Sequence, residues 1–116
     1  MNVFTPKDPE FEARIRACFI KNGLLKTLGA HLTRVSPGAV EVELPLSPAV
    51  SQQTGSAHGG ALVSIADCAS GLAALSLMPP GADTATIEFK INYLAPASEI
   101  GWSRVAASCR QVSGPP

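Results

Sequence analysis

Between Ala39 and Leu46 the chain alternates: Val40, Val42, Leu44 and Leu46 are apolar, and Glu41 and Glu43 stand between them. A period of two is that of a half-buried strand with one wet face. Ser36-Pro37-Gly38, just before it, has turn composition. His31 to Val35 and Ala39 to Leu46 are therefore predicted to pair as a hairpin. The alternation is cleanest in TATIEFKINYLAPA, where Ala85, Ile87, Phe89, Ile91 and Tyr93 interleave with Thr84, Thr86, Glu88, Lys90 and Asn92, and Pro96 ends the run. Gly101 to Val112 predicts a further strand, with Val105, Ala107 and Cys109 on one face.

Two other stretches carry a helical period. Phe11, Ile15, Cys18 and Phe19 recur at helical spacing. Asp8 is the expected N-cap, Pro9 suits the first helical position, and Glu10 complements the dipole. Asn22-Gly23 should end this helix, because both residues tolerate left-handed geometry. A short helical or irregular piece, Leu24 to Leu28, follows. Ser47 to Ala57 reads as a loop of small and amide residues. From Gly59 to about Leu77 apolar residues lie all round the helical wheel, which predicts a helix buried on most sides and stopped by Pro79-Pro80-Gly81. The order is helix, hairpin, long buried helix, strand, strand. It predicts one α+β domain over residues 1–116, an antiparallel sheet wrapped about a central helix.

Composition narrows the function classes. The 116 residues carry nine basic and nine acidic side chains, for a net charge of zero, and no run of Lys or Arg. Nucleic acid and anionic membrane surfaces are thus not expected partners. The apolar stretch Ala61 to Met78 contains Ser64, Asp67, Ser70 and Gly71, too polar and too short for a membrane span. The N-terminus lacks the basic-then-apolar pattern of a signal peptide. Cys18, Cys68 and Cys109 show no CxxC or His-paired spacing, so neither a disulfide framework nor a metal site is expected. Buried free thiols in a reducing cytoplasm fit better.

The candidate chemistry sits in SAHGGALVSIADCASG, residues 56 to 71. A buried carboxylate without a partner is costly, so Asp67 must reach water, a donor or a subunit interface. It is either a satisfied interface residue or a nucleophile or general base. Gly59 and Gly60 open the helix, where the first amides are unpaired donors at the positive end of the dipole. They either form a plain turn or polarise a carbonyl and stabilise an oxyanion. His58 either assists a substrate or orients the loop. Asp67 lies about two turns and roughly 10 Å beyond Gly60. Reacting groups must approach to within about 3–3.5 Å. One helix cannot supply both, so joint action demands a homodimer, with amides from one chain and Asp67 from the other.

Gln52-x-x-Gly55-x-x-His58-Gly59-Gly60, Asp67 seven residues on, and the strand ending Leu94-x-Pro96-Ala97 together resemble the PaaI-type branch of the hotdog-fold thioesterases. The likeness runs from about Leu28 to Val112. It implies hydrolysis of an acyl-CoA thioester without metal or prosthetic group, in a homodimer or homotetramer with shared sites. It implies Asp67 as nucleophile or general base directing water, Gly59 as the amide that polarises the carbonyl, and His58 lining the site. It implies Gln52 holding water or substrate, and Thr86 placing the water. By alternation, however, Thr86 shares the polar face with Glu88 and Lys90. Gly60 and Lys90 are candidate substrate contacts, and Lys90, Arg104 and Arg110 are candidates for the CoA phosphates. The family continues past the strand ending near Val112 with two more strands, so the sequence predicts a C-terminally incomplete hotdog domain of low stability. The competing readings are a non-catalytic acyl-CoA-binding protein or inert remnant, and a hotdog dehydratase.

Overall fold

A computed structural model of the chain describes residues 4–83 and 104–110. In chain order the elements are α1 (Phe11–Lys21), α2 (Gly23–Leu28), β1 (His31–Ser36), β2 (Ala39–Pro45), a 3-10 turn (Pro48–Val50), α3 (Gly59–Leu75) and β3 (Arg104–Arg110). The strand expected over Thr84 to Tyr93 lies outside the described residues.

The three described strands form an antiparallel sheet in the order β1-β2-β3. Its alternation follows the sequence. Val40, Val42 and Leu44 are buried and face Cys109, Ala107 and Val105 across the β2–β3 pairing. All six belong to the layer packed against the apolar core. Glu41 and Glu43 take the other face, where Glu43 meets Arg104 at 3.3 Å. The hairpin matches the expected pairing with one irregularity. Its register shifts between Leu32 and Arg34, leaving Thr33 as an extra residue. Thr33 Oγ1 donates to the Glu41 side chain at 2.9 Å. The bulge lets Leu32 and Val35, an odd number of residues apart, both pack on the core.

Helix α3 packs against β2 and β3. Ala61, Ile65, Ala69, Leu72 and Ala73 form its fully buried stripe, and of its residues only Gly60 is exposed. The expectation of a helix covered on most sides therefore holds. Its C-terminal end is anchored twice. Ser76 Oγ donates to the Ala73 carbonyl and accepts the Gly38 N–H at 2.8 Å, which ties the β1–β2 turn to the helix. Gly38 has φ +77°, and a Cβ there would lie 2.8 Å from the Phe4 ring, so the turn requires glycine.

The second anchor comes from α1. The Arg14 guanidinium donates to the carbonyls of Leu75 at 2.7 Å, Met78 at 2.9 Å and Pro79 at 2.8 Å. Its Nε lies 3.5 Å from the buried Asp8 carboxylate, an ion pair without a hydrogen bond. At the other end of α1, Asn22 Nδ2 lies 3.9 Å from Cys68 Sγ. Arg14 meets the end of α3 and Asn22 meets its middle, so α1 runs antiparallel along the C-terminal half of α3.

Two capping expectations are corrected. Asp8 does not cap α1: its Oδ1 accepts the Glu10 N–H at 2.9 Å, forming a turn that places Pro9 outside the helix. A carboxylate two residues from an N–H closes such a turn readily, and here it also leaves the other oxygen facing Arg14. Asn22-Gly23 does end α1, but neither residue is left-handed. Asn22 instead starts α2, accepting the Leu25 N–H at 3.2 Å through Oδ1.

Arg14→Ala should lower stability by about 2–4 kcal/mol, because it removes the donor to the Met78 carbonyl, takes one of two donors from Leu75 and Pro79 and leaves Asp8 buried without a counter-charge. Urea unfolding checks it. Arg16→Ala, which removes only the exposed pair with Glu12, should change stability by less than about 0.5 kcal/mol.

Candidate functional site

The loop before α3 is fixed by its own backbone. Ser51 and Ala57 form an isolated antiparallel bridge. Gln52 N–H donates to the Ser56 carbonyl at 2.8 Å and Gly55 N–H to the Gln52 carbonyl at 2.9 Å. Gln52 Nε2 donates to Thr54 Oγ1 at 3.1 Å. The His58 N–H donates to the Val50 carbonyl at 2.7 Å. Gln52 and His58 are thereby held on one tight loop that delivers the chain to the start of α3.

His58 is the N-cap of α3, and its Nδ1 accepts the Gly60 N–H at 2.8 Å. An accepting Nδ1 places the neutral ring's proton on Nε2. The ring lies so close over Gly60 that a Cβ there would sit 3.0 Å from Nδ1. The His58 carbonyl accepts the N–H groups of Ala61 and Leu62. The second glycine thus serves the cap: its amide is held by His58 and its missing side chain makes room for the ring. The choice left open between a substrate role and a loop role is settled in part, since His58 performs the loop role. Gly60 is exposed, and its amide is taken up by His58.

Asp67 is half-buried on α3. Seven residues make nearly two turns, so Asp67 and Gly60 lie within about 20° of each other around the helix. That face is turned away from the buried stripe of Ala61, Ile65 and Ala69. It carries small residues: Gly60, Ser64, Asp67, Gly71 and Ala74. Within one chain the structure brings Gln52, His58, Gly59 and Gly60 together at the N-terminus of α3. It sets Asp67 apart from them along the helix axis.

Asp67 opens onto a cavity of about 240 Å³ between α1 and α3, lined also by Cys18, Phe19, Asn22, Cys68, Gly71, Leu72, Leu75 and Asp83. The Cys68 thiol there is pushed up to about 11, chiefly by burial, with the Asp67 carboxylate and Cys18 adding and the Asn22 amide opposing. Burial thus favours the neutral thiol of Cys68 at physiological pH. Burial also raises Cys109. Thr86 and Lys90 lie outside the described residues. Arg104 and Arg110 lie on the exposed face of β3, opposite Val105, Ala107 and Cys109, and so on the side of the sheet away from α3. Among the described residues no group of three His, Cys, Asp or Glu could hold a metal ion, and no helix is long and apolar enough to cross a membrane.

Sequence reasoning missed Arg14, Phe19, Asn22 and Ser76 as the residues that build this cavity and hold the helix end. One signal was present. The last turn of α3, Leu72 to Leu75, contains no basic residue and no glycine, and a helix end with neither draws on donors from other elements as well.

Comparison with known proteins bears on the whole arrangement. The domain of unknown function DUF4442 matches residues 13–108. A protein of Halobacterium salinarum proposed to be an esterase is 32% identical over 90 residues, covering 73% of this chain and 60% of that protein. The chain thus spans 60% of that relative's length. A crystal structure of a thioesterase family protein from Silicibacter pomeroyi is similar at a TM-score of 0.83 and 36% identity, covering 88% of this chain and 73% of that one. The PaaI protein of the Escherichia coli phenylacetic acid degradation operon shares the fold, at a TM-score of 0.73 and 22% identity, covering 85% of this chain and 68% of that one. The sheet and central helix are those of a hotdog fold, as the resemblance implied.

Alkylation of Cys68 should be slow at neutral pH and accelerate about tenfold per pH unit as pH rises toward 11; iodoacetamide labelling with peptide mapping checks it. His58→Ala should cost about 0.5–2 kcal/mol through the lost cap, and His58→Asn should restore most of that, as read by urea unfolding.

Proposed function

The chain belongs to the DUF4442 domain family and to the hotdog-fold thioesterases of PaaI type, and on that premise we propose that it hydrolyses acyl-CoA thioesters to the free acid and CoA. The observation that carries the proposal is the placement of Gly60, in the first turn that His58 caps, and Asp67 on one face of α3, nearly two turns apart. That face is made of small residues, so a second helix can approach it closely. Two copies of α3 crossing antiparallel about a two-fold axis near Val63 and Ser64 would set Gly60 of each opposite Asp67 of the other. Each of the two sites then holds a carboxylate from one protomer and a helix N-terminus from its partner.

The chemistry follows from that pairing. The thioester carbonyl oxygen points to the Gly59 amide at the positive end of α3, which favours the negative charge that develops there. Asp67 takes a proton from water as the water oxygen bonds to the carbonyl carbon. Collapse of the tetrahedral intermediate breaks the carbon–sulfur bond, and CoA leaves as a thiolate, a good enough leaving group that no metal is required. His58 keeps the first turn in place by capping it. Gln52, on the same loop, holds the water or substrate. The whole unit needs only acyl-CoA, water and a second copy of the chain, and it suits a cytoplasmic setting.

In a thiol-release assay, Asp67→Asn should lower kcat by at least about 100-fold with the fold unchanged. Gly59→Pro removes one amide at the first helical position, where proline is well tolerated, and should also lower kcat by at least about 100-fold. Mixing the two inactive variants after dissociation should restore about a quarter of wild-type activity, as random pairing of two-fold dimers requires. Full activity in Asp67→Asn would overturn the mechanism, and binding of acyl-CoA without turnover by the wild type would make the protein a binder.

A further inference from the structure

We infer that the corner between α1 and α2 is a peripheral contact for an anionic lipid surface, with Ile20 and Leu24 entering the headgroup region and Arg16, Lys21 and Lys26 facing the lipid phosphates. The inference stands apart from the hydrolase reading and does not need it.

It begins with two side chains that burial has left out. Ile20 is 75% exposed and Leu24 is 55% exposed, and among the described residues these are the large apolar side chains that face solvent. Four residues separate them, so their Cα atoms are at most about 14 Å apart. Neither lines the cavity between α1 and α3. Ile20 ends the outward row of α1, which runs through Ala13, Arg16 and Ala17. The inward row, with Ile15, Cys18 and Phe19, packs on the core. In α2, Leu25 is buried, and its neighbour Leu24 points about 100° away from it. Between the two aliphatic side chains, a Cβ added to Gly23 would meet nothing within 4 Å. The corner is therefore open.

Charge gathers at the same place. From Ala13 to Val40 the chain has five Lys and Arg residues and no Asp or Glu, although the whole chain has nine of each sign. Arg14 is turned inward to Asp8 and the end of α3. Arg16, Lys21 and Lys26 are exposed. Arg16 has Glu12 at 3.7 Å, on the side away from the corner. Among the described residues, Lys21 and Lys26 form no ion pair. The sequence shows no run of cations because these three are spaced along it. Folding sets them around the aliphatic pair.

The chemistry of the corner selects lipid. Binding at a bilayer surface grows with the apolar area immersed and with attraction to anionic headgroups. Each Lys or Arg near such a surface strengthens binding about fivefold. Long cationic side chains keep their charge among the phosphates while shorter aliphatic ones go deeper. A nucleic acid would use the cations and leave Ile20 and Leu24 in water. A stable protein partner needs about 800 Å² on each side around a packed apolar centre. Two aliphatic side chains interrupted by cations do not make such a centre. Each signal alone is weak, so the contact is reversible and needs both.

The test is cosedimentation of the intact protein with vesicles of phosphatidylcholine and phosphatidylglycerol in a two-to-one ratio, beside vesicles of phosphatidylcholine alone. The anionic vesicles should bind at least about tenfold more tightly. That difference should disappear between about 0.1 M and about 1 M salt, as the screening length falls from ~10 Å to ~3 Å. Ile20→Ser and Leu24→Ser should each weaken binding about tenfold. Lys21→Gln and Lys26→Gln should each weaken it about fivefold. Arg34→Gln, which removes an exposed cation on β1 outside the corner, should change it by less than about twofold. Circular dichroism should show all five variants folded, because the side chains replaced are exposed. Failure to bind anionic vesicles overturns the proposal and leaves the corner to a protein partner. Equal binding to neutral vesicles also overturns it. So does binding that Ile20→Ser and Leu24→Ser leave unchanged, which marks a purely ionic contact, and so does loss of binding through Arg34→Gln in place of the corner variants.

Discussion

The grip of Arg14 on the C-terminal end of α3 is the contact on which the rest of the described structure leans. At the end of α3, Ser76 Oγ and the N–H groups of Leu77 and Met78 take up the carbonyls of Ala73, Ala74 and Leu75, and Arg14 adds a second donor to Leu75 and secures the turn that follows. One guanidinium from α1 meets the carbonyls of Leu75, Met78 and Pro79, with Asp8 beside it to balance the charge. The contact joins residues more than sixty positions apart in the chain. It lays α1 against α3, and the space left between the two helices is the cavity that reaches Asp67. A lysine would supply the charge but not the planar fork that spans three acceptors.

Helix geometry imposes the second constraint. Asp67 and Gly60 share a face but not a height, and no local adjustment of a rigid helix brings Asp67 and the first-turn amides to one carbon atom. Either they serve separate purposes or two helices cooperate. The composition of that face favours cooperation: glycine, serine and alanine leave room for a backbone to approach, while the buried stripe on the opposite side is committed to β2 and β3. His58 fits the same scheme. By accepting the Gly60 amide it rigidifies the first turn, so the amide of Gly59 is presented from a fixed backbone.

Much of this was legible in the sequence because it depends on period. The alternation Val40, Val42, Leu44 and the alternation Val105, Ala107, Cys109 specified which faces meet α3, and both are observed. The all-round apolarity of α3 foretold its burial, and the seven-residue spacing of Gly60 and Asp67 foretold their separation along it. What escaped notice depends on contacts distant in sequence or on competition between neighbouring groups. Asp8 looked like a helix cap, but its carboxylate closes a turn two residues on and leaves an oxygen for Arg14. Asn22 looked like a helix stop, and it also starts α2 and reaches Cys68. No local pattern marks Arg14, whose partners are carbonyls at and just beyond the end of another helix. Thr86 and Lys90 lie outside the described residues, and their parts in the site still rest on the resemblance alone.

Whether Asp67 is a catalytic base or a structural polar residue turns on what surrounds it. A carboxylate kept only for solubility at an interface would need no cavity beside it, and a cavity kept only for packing would not be lined by Asp67 and Asp83 together with Phe19 and Leu75. Under the proposed hydrolysis the juxtaposition would put water and the thioester carbonyl at Asp67. Cys68 could have been the reactive group there, being adjacent to Asp67 and in the same cavity. Burial and the neighbouring carboxylate hold its thiol protonated, which argues against it as a nucleophile and, under the proposed hydrolysis, leaves the proton transfer to Asp67.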